Sequence, residues 1–209
     1  MTIGPLFKMW CLMLAAALIG VAICIRWLDV PVAMAFLGNA NRFSGLGRGL
    51  SSTVLVFGEM LLIIVLAIAR LMRGDLPEFG KALFVASCAS LSAYVANDQV
   101  LKFIFGRENP LVLLQGVPTH VFNFFQGDQH SSFPSGHMVM ATAFAVAMIR
   151  LQPRTLPTLT ILLSIGAAAL VIGNWHFVGD VIAGIFVGAT AGLVAGELWS
   201  EHVQKHTSA

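Results

Sequence analysis

The stretch FPSGHMVMATAFAVAMIRL, residues 133–151, joins a short polar motif to an apolar block. Its Pro134-Ser135-Gly136 segment is typical of a helix N-terminus, because a serine side chain can cap the first turn. The apolar residues that follow predict a helix from Gly136 to about Leu151. The stretch therefore predicts an apolar helix that carries polar groups at its start.

The rest of the chain is similarly apolar. Its 209 residues are 57% hydrophobic and 11% charged, whereas about a quarter of the residues of a soluble domain are charged. The net charge of +2 without a basic tract argues against a nucleic-acid partner. Cys11, Cys24 and Cys88 lack metal-ligand spacing and predict no metal site. We therefore predict one integral membrane domain over residues 1–209.

Six apolar blocks predict transmembrane helices. They cover about residues 9–28, 50–72, 82–105, 136–151, 156–174 and 180–199. A bilayer core needs about 20 helical residues, so the fourth block is short. Backbone groups in lipid must bond within their own segment, which favours helices. Small residues in the last two blocks, including Gly184, Gly188 and Gly192, predict close packing there. The predicted fold is an all-α polytopic membrane bundle of six helices.

The distribution of Lys and Arg predicts the orientation of these helices. With the N-terminus inside, the inner segments hold slightly more Lys and Arg than the outer segments. In this orientation three parts of the chain lie outside: the end of the third block, the start of the fourth block, and the junction between the fifth and sixth blocks. This orientation predicts that Lys102, Ser135, His137, His176 and Asp180 meet at the outer face.

His176 and Asp180 form a candidate nucleophile pair. They are four residues apart, so they share a helix face if the helix begins by residue 176. Asp180 can then accept a hydrogen bond from the imidazole and orient it for attack on phosphorus. The alternative is an aspartate that only favours the helix dipole.

A candidate phosphate site precedes this pair in the chain. Helix N-termini bind phosphate through free N–H groups, and Ser135 and Gly136 add a hydroxyl and room for close approach. The alternative is an ordinary cap followed by an interfacial His137. Lys102 offers a point charge for a phosphate oxygen, with Asp98 one turn earlier to position it. The alternative for Lys102 is a lysine that snorkels to the interface.

The order of these residues resembles the phosphatidic acid phosphatase type 2 superfamily over about residues 95–190. The matching motifs are Lys102…Pro110, Pro134-Ser135-Gly136-His137 and His176-x3-Asp180. The resemblance implies hydrolysis through a phosphohistidine, without a metal or other cofactor. It implies that His176 is the nucleophile, His137 the general acid and Asp180 the orienting group. It also assigns phosphate binding to Ser135, Gly136 and Lys102.

The chain departs from the family pattern at two positions. The family has Lys-x6-Arg-Pro where this chain has Asn109 before the proline, and an arginine where this chain has Leu170. A charge-assisted phosphate contact therefore becomes a neutral one at Asn109 and is lost at Leu170.

Other arginines are candidates to replace the two missing ones. We expect Arg107 to supply the main guanidinium, with Arg42 and Arg48 in the first outer loop as further candidates. The alternative is that Arg107 pairs with Glu108 or lies among lipid headgroups.

Apolar side chains are frequent in the segment from residue 106 to residue 133. They predict an interfacial flap against lipid tails, or alternatively a loop that packs on the bundle. His120 and His130 lack recognisable metal-ligand partners and receive no role. Glu59, within the second block, is expected to face the bundle, either in a functional role or in a structural hydrogen bond.

The sequence thus predicts a membrane phosphatase of amphiphilic lipid phosphates or diphosphates. Its predicted location is the bacterial inner membrane, with the site on the periplasmic face. The resemblance implies phosphatidic acid, phosphatidylglycerol phosphate, polyprenyl diphosphate or lipid A as substrate candidates. Two alternatives stay open: a lipid phosphotransferase with the same site, and a non-catalytic lipid-phosphate binding or transport protein.

Overall fold

The regular structure of the chain is helical. A computed structural model describes residues 3–36, 52–115, 122–128 and 130–207. In these ranges the secondary structure is helical apart from an isolated bridge between Arg107 and Phe122. The prediction of an all-α fold is therefore confirmed for this part of the chain.

The helices follow the predicted apolar blocks. They are α1 (Ile3–Ile23), α2 (Asp29–Ala35), α3 (Ser52–Arg73), α4 (Glu78–Ala96), α5 (Lys102–Phe105), α6 (Gly136–Leu151), α7 (Leu156–Ile172) and α8 (Val178–Thr207). Two π-helical turns, Cys24–Leu28 and Asn97–Leu101, join α1 to α2 and α4 to α5. Two 3-10 turns cover Pro110–Gln115 and Pro153–Thr155.

Five helical stretches of the described chain are long and apolar enough to cross a membrane. They are Gly4–Ala35, Ser52–Arg73, Glu78–Phe105, Pro153–Ile172 and Val178–Lys205. This is the pattern of an integral membrane protein. Helix α6 is also apolar but has only 16 residues, and a bilayer core needs about 20. The count of six spans therefore stays a prediction.

The first span is longer than the sequence predicts. We expect it to end near Leu28, because Asp29 is charged. In the structure the π-helical turn continues the helix into α2, and Asp29 is only 1% exposed. A buried carboxylate is tolerated when it is paired, and its partners are described below.

Helix α6 occupies the centre of the bundle, between α4 and α8. Its inner residues Val139 and Ala143 pack with Ala93 of α4, and Ala147 packs with Ala86. By contrast, none of the residues of α3 is buried. The motif at the start of α6 is thus attached to the best-packed helix of the described chain.

Glycines hold α8 directly against the backbone of α6. Gly184, Gly188, Gly192 and Gly196 recur every fourth residue and so share one face of α8. A Cβ atom on Gly188 would lie 2.5 Å from the carbonyl oxygen of Val139. Small residues allow this approach of two backbones in a membrane. The close packing predicted for the last two blocks is therefore made by α8 mainly against α6.

We predict that Gly188→Ala lowers the stability of the protein. The added methyl group must displace the backbone of α6, and overpacking of this kind costs about 1–3 kcal/mol. The measurement is the thermal unfolding midpoint of the purified protein in detergent.

Gly58→Ala is the matched control, because a Cβ atom at Gly58 of α3 meets nothing within 4 Å. Alanine favours a helix over glycine by about 1 kcal/mol, so this variant is expected to melt no lower than the unsubstituted protein. Equal melting temperatures for the two variants would contradict the proposed contact.

Candidate active site

The residues of the predicted motifs meet at one end of the bundle. The backbone N–H of Ser135 donates to the carbonyl oxygen of Asp180 at 3.1 Å. The ring centroids of His137 and His176 are 5.7 Å apart. The packing of α8 on α6 thus brings two motifs that are separate in sequence into direct contact.

Asp180 faces His176 from the first turn of α8. Nδ1 of His176 is 3.7 Å from Oδ2 of Asp180, slightly beyond hydrogen-bond range. The same oxygen accepts from the backbone N–H of Phe177 at 2.9 Å, as acidic residues do in a capping box. The helix begins at Val178, so the condition for a shared helical face, a helix that begins by residue 176, is not met. The capping geometry places the carboxylate beside the imidazole instead.

The two histidines are accessible to different degrees. His176 is 9% exposed, whereas His137 is half-buried and has the ring of Trp175 at 6.5 Å between centroids. Two imidazoles this close can both reach one bound group, as a nucleophile and a proton carrier must.

The start of α6 has the predicted capping geometry. Ser135 is the N-cap, with φ −61° and ψ 112°, and its Oγ accepts from the backbone N–H of Met138 at 3.4 Å. Gly136 is the first helical residue, and a Cβ atom there would lie 3.2 Å from the Tyr94 ring. Asn97 fixes the motif from the π-helical turn, since its Nδ2 donates to the carbonyl of Pro134 at 3.3 Å.

Lys102 and Asp98 form a nearly buried ion pair. Nζ of Lys102 is 2.9 Å from Oδ1 of Asp98, and the two side chains are 9% and 10% exposed. The predicted contact between them is confirmed. The role of Lys102 in phosphate binding stays a prediction.

Arg107 lies between two carboxylates inside the protein. Its NH1 donates to Oδ1 of Asp180 at 2.7 Å and its NH2 donates to Oδ2 of Asp29 at 2.7 Å. Its guanidinium carbon is 4.2 Å from the centroid of the Phe177 ring, within the range of a cation–π interaction. Because its side chain is 0% exposed, the alternative that places it among headgroups is wrong. Phosphate binding by Arg107 stays a prediction.

Asn109 and Leu170, the two positions where the resemblance predicts arginine, have local roles. Oδ1 of Asn109 accepts from the backbone N–H of Leu111 at 3.0 Å and supports the following 3-10 turn. Leu170 is buried, and its carbonyl oxygen accepts from the N–H groups of Trp175 at 3.0 Å and His176 at 3.3 Å. Leu170 therefore helps to position the candidate nucleophile through its backbone. Arg42 and Arg48 lie outside the described residues, as does His120.

The described part of the segment after α5 packs on the bundle and also exposes aromatic rings. The Phe122 ring is 5.3 Å from that of Phe133, whereas Phe124 and Phe125 are 54% and 65% exposed. The segment thus has features of a loop that packs on the bundle and of an interfacial flap.

Asp128 and His130 form an exposed turn near the end of this segment. Oδ1 of Asp128 accepts from the backbone N–H of His130 at 2.8 Å, which lowers the pKa of Asp128 below its usual value. This contact gives His130 a local structural role.

Glu59 and His137 line one cavity of about 620 Å³ among α3, α6 and α7. Most of its wall is apolar, and one carboxylate oxygen of Glu59 is buried. Glu59 therefore faces the bundle, as the sequence predicts.

Sequence reasoning missed Asp29. A single acidic residue at the predicted end of an apolar span looks like a boundary residue. The available signal was the cost of an ionisable group within a membrane helix, which usually indicates a partner. That partner, Arg107, is 78 residues away in the sequence.

In the part of the chain that the structure describes, no group of three or more His, Cys, Asp or Glu residues is placed to hold a metal ion. The candidate site consists of two imidazoles, a capping carboxylate and a helix N-terminus in a membrane-type helical bundle.

The protein thus belongs to the class of integral membrane proteins with a histidine-containing site at one end of the bundle. Residues 81–202, more than half of the chain, match the PAP2 superfamily, and the chain belongs to this superfamily. Because the superfamily generally comprises phosphatases, it supports a phosphoric ester hydrolase. Neither a curated protein nor a solved structure matches the chain.

We predict that Arg107→Met strongly destabilises the protein. The substitution leaves Asp29 and Asp180 buried without the guanidinium, and removing one partner of a buried pair costs about 3–5 kcal/mol. The measurement is the thermal unfolding midpoint in detergent.

Arg150→Met is the matched control. Arg150 pairs with Glu197 across α6 and α8, but its side chain is 36% exposed, and pairs that water reaches contribute about 0–1 kcal/mol. A loss as large for Arg150→Met as for Arg107→Met would contradict the importance of the buried contacts.

Proposed function

We propose that this chain hydrolyses a lipid phosphate or diphosphate through a phosphohistidine on His176. The observation that carries the proposal is the 5.7 Å separation of the His137 and His176 rings. Asp180 lies behind His176, with Oδ2 at 3.7 Å from Nδ1. This arrangement leaves Nε2 of His176 for attack on phosphorus.

The first step transfers the phosphoryl group to the protein. The lone pair of Nε2 forms the nitrogen–phosphorus bond while the bond from phosphorus to the lipid oxygen breaks. His137 donates its proton to that leaving oxygen. Asp180 stabilises the positive charge that develops on the His176 ring, as the aspartate of a catalytic triad does.

The second step releases phosphate. His137, now neutral, takes a proton from water as the water oxygen attacks phosphorus. The nitrogen–phosphorus bond breaks, and its electron pair returns to Nε2 of His176. Both histidines are then in their starting states.

The start of α6 is suited to hold the phosphoryl oxygens. The backbone N–H groups of the first turn and the partial positive charge of the helix N-terminus favour an anion. We assign the hydroxyl of Ser135, the ammonium of Lys102 and the side-chain amide of Asn109 to the same group. For Arg107, whose two terminal nitrogens already bind carboxylates, a direct phosphate contact is the less favoured role.

An apolar cavity beside the site supports an amphiphilic substrate. The cavity of about 620 Å³ reaches from His137 to α3 and α7. It offers apolar side chains next to the candidate general acid. The bias in Lys and Arg favours a site on the periplasmic face of a bacterial inner membrane.

We predict that His176→Ala abolishes phosphate release. The experiment incubates purified protein in mixed micelles with phosphatidic acid, phosphatidylglycerol phosphate or a polyprenyl diphosphate. Loss of a nucleophile lowers kcat by about 10⁴-fold or more. Mass spectrometry of the lipids distinguishes hydrolysis from transfer to a lipid hydroxyl.

His202→Ala is the matched control for this experiment, because His202 lies near the far end of α8 and is exposed. This variant is expected to retain the full rate. Equal rates for His176→Ala and the unsubstituted protein on every substrate would overturn the proposal.

We predict that the effect of His137→Ala depends on the leaving group. A lipid alkoxide must be protonated as it leaves, so loss of a general acid slows phosphoenzyme formation about 10²–10⁴-fold. Nitrophenolate leaves without a proton, so p-nitrophenyl phosphate should be affected much less. Single-turnover trapping of the acid-labile phosphoenzyme measures both rates, and an equal loss with both substrates would contradict the role of His137.

A further inference from the structure

We propose that Asp29 is a positioning residue for this reaction. In this proposal the charge of Asp29 compensates the charge of Arg107. The negative charge of Asp180 then remains to stabilise a cationic His176. The inference rests on the proposed function, in which His176 is the nucleophile.

Asp29 connects the start of α2 to two parts of the site. Its Oδ2 accepts from NH2 of Arg107 at 2.7 Å, and its Oδ1 accepts from the backbone N–H of Gly179 at 2.9 Å. A Cβ atom on Gly179 would lie 3.0 Å from Oδ2. The carboxylate therefore lies directly against the first turn of α8, where Asp180 is the next residue.

Backbone hydrogen bonds fix the position of Arg107 between the two carboxylates. Its carbonyl oxygen accepts from the N–H of Ser132 at 2.7 Å, and the carbonyl of Gly106 accepts from the N–H of Asn123 at 3.2 Å. Gly106 ends α5 in the left-handed conformation, with φ 54°, which glycine adopts readily. Hydrogen bonds to neighbouring segments thus fix the backbone at Arg107 and at the residue before it.

The charges of this cluster explain why two carboxylates share one arginine. Asp29 and Asp180 contribute −2 and Arg107 contributes +1, which leaves −1 among side chains that are 0% exposed. If Asp29 were neutral, Arg107 and Asp180 would form a neutral pair. Asp180 would then stabilise a cationic His176 less well, because charges interact strongly where water is excluded. With Asp29 ionised, the cluster is complementary to the imidazolium that forms during attack.

A second hydrogen bond, which does not involve Asp29, attaches α2 to the α7–α8 connection. Nδ2 of Asn174, in the α7–α8 connection, donates to the carbonyl oxygen of Ala33 at 3.0 Å. Removal of the charge of Asp29 is therefore expected to leave α2 attached to the site.

The first test is Asp29→Asn, which keeps the shape of the side chain and an oxygen for Gly179. We expect kcat to fall roughly 10- to 100-fold, by analogy with the hydrogen-bond partners that orient metal-ligating residues. KM for the lipid phosphate should change less than about twofold, because Asp29 does not touch the substrate. Glu197→Gln removes the same charge from the Arg150 pair and should leave kcat unchanged.

The decisive test is the double variant Asp29→Asn/Arg107→Gln. In the double variant the cluster keeps the net charge of −1 of the unsubstituted protein, because only Asp180 remains charged. Arg107→Gln alone gives the cluster a net charge of −2, and Asp29→Asn alone gives it zero. We therefore expect the double variant to have a higher kcat than either single variant. A purely structural role predicts that the double variant is no faster than Asp29→Asn, because the contacts of Arg107 are then lost as well. All three variants are assayed below the unfolding midpoint of the least stable one, so that the decisive comparison with Asp29→Asn can be made.

The outcomes separate this inference from the function on which it rests. If His176→Ala retains the full rate, the proposed function fails. If His176→Ala is inactive while Asp29→Asn retains the full kcat, only the role of Asp29 is overturned. A double variant that is no faster than Asp29→Asn also overturns it.

Discussion

The contact between the glycine face of α8 and the backbone of α6 is the constraint on which the rest of the structure depends. A Cβ atom at Gly188 would lie 2.5 Å from the carbonyl oxygen of Val139, so only glycine allows the two helices to approach this closely. One turn before Gly184, the same packing places the carbonyl oxygen of Asp180 on the N–H of Ser135. The two helix N-termini therefore form one site, and a shift between the helices would separate its two histidines.

The electrostatics of the site combine an anionic cluster with a region suited to an anion. Asp29, Arg107 and Asp180 carry a net charge of −1 behind His176, and this charge complements a cationic imidazole. In front of the imidazole, the N-terminus of α6 offers N–H groups and a partial positive charge. The positions where the resemblance leads us to expect arginine are Asn109 and Leu170, and the buried Arg107 is bound by carboxylates. In the proposed mechanism, neutralisation of the phosphate thus depends on Lys102 and on backbone dipoles.

Much of the fold and part of the site follow from local sequence. The apolar block that begins at Gly136 forms the predicted helix from Gly136 to Leu151, and Ser135 caps it as predicted. Gly106 ends a helix, and Asp98 contacts Lys102 four residues later. These features depend on residues within one or two turns of each other, so the sequence is sufficient to predict them. A helical face shared by His176 and Asp180 requires a helix that begins by residue 176, whereas α8 begins at Val178 and Asp180 accepts from the N–H of Phe177 in a capping contact.

The sequence by itself determined the apolar helices, their caps and the order of the motif residues, because these depend on short-range hydrogen bonds and on the length of apolar segments. Only the tertiary structure decided the partners of the charged groups. Arg107 binds Asp180 and Asp29 across 73 and 78 residues of the chain. No spacing rule connects residues so far apart, since the packing of several helices sets their distance. Burial then enforces the pairing, because a guanidinium removed from water needs carboxylates to compensate its charge.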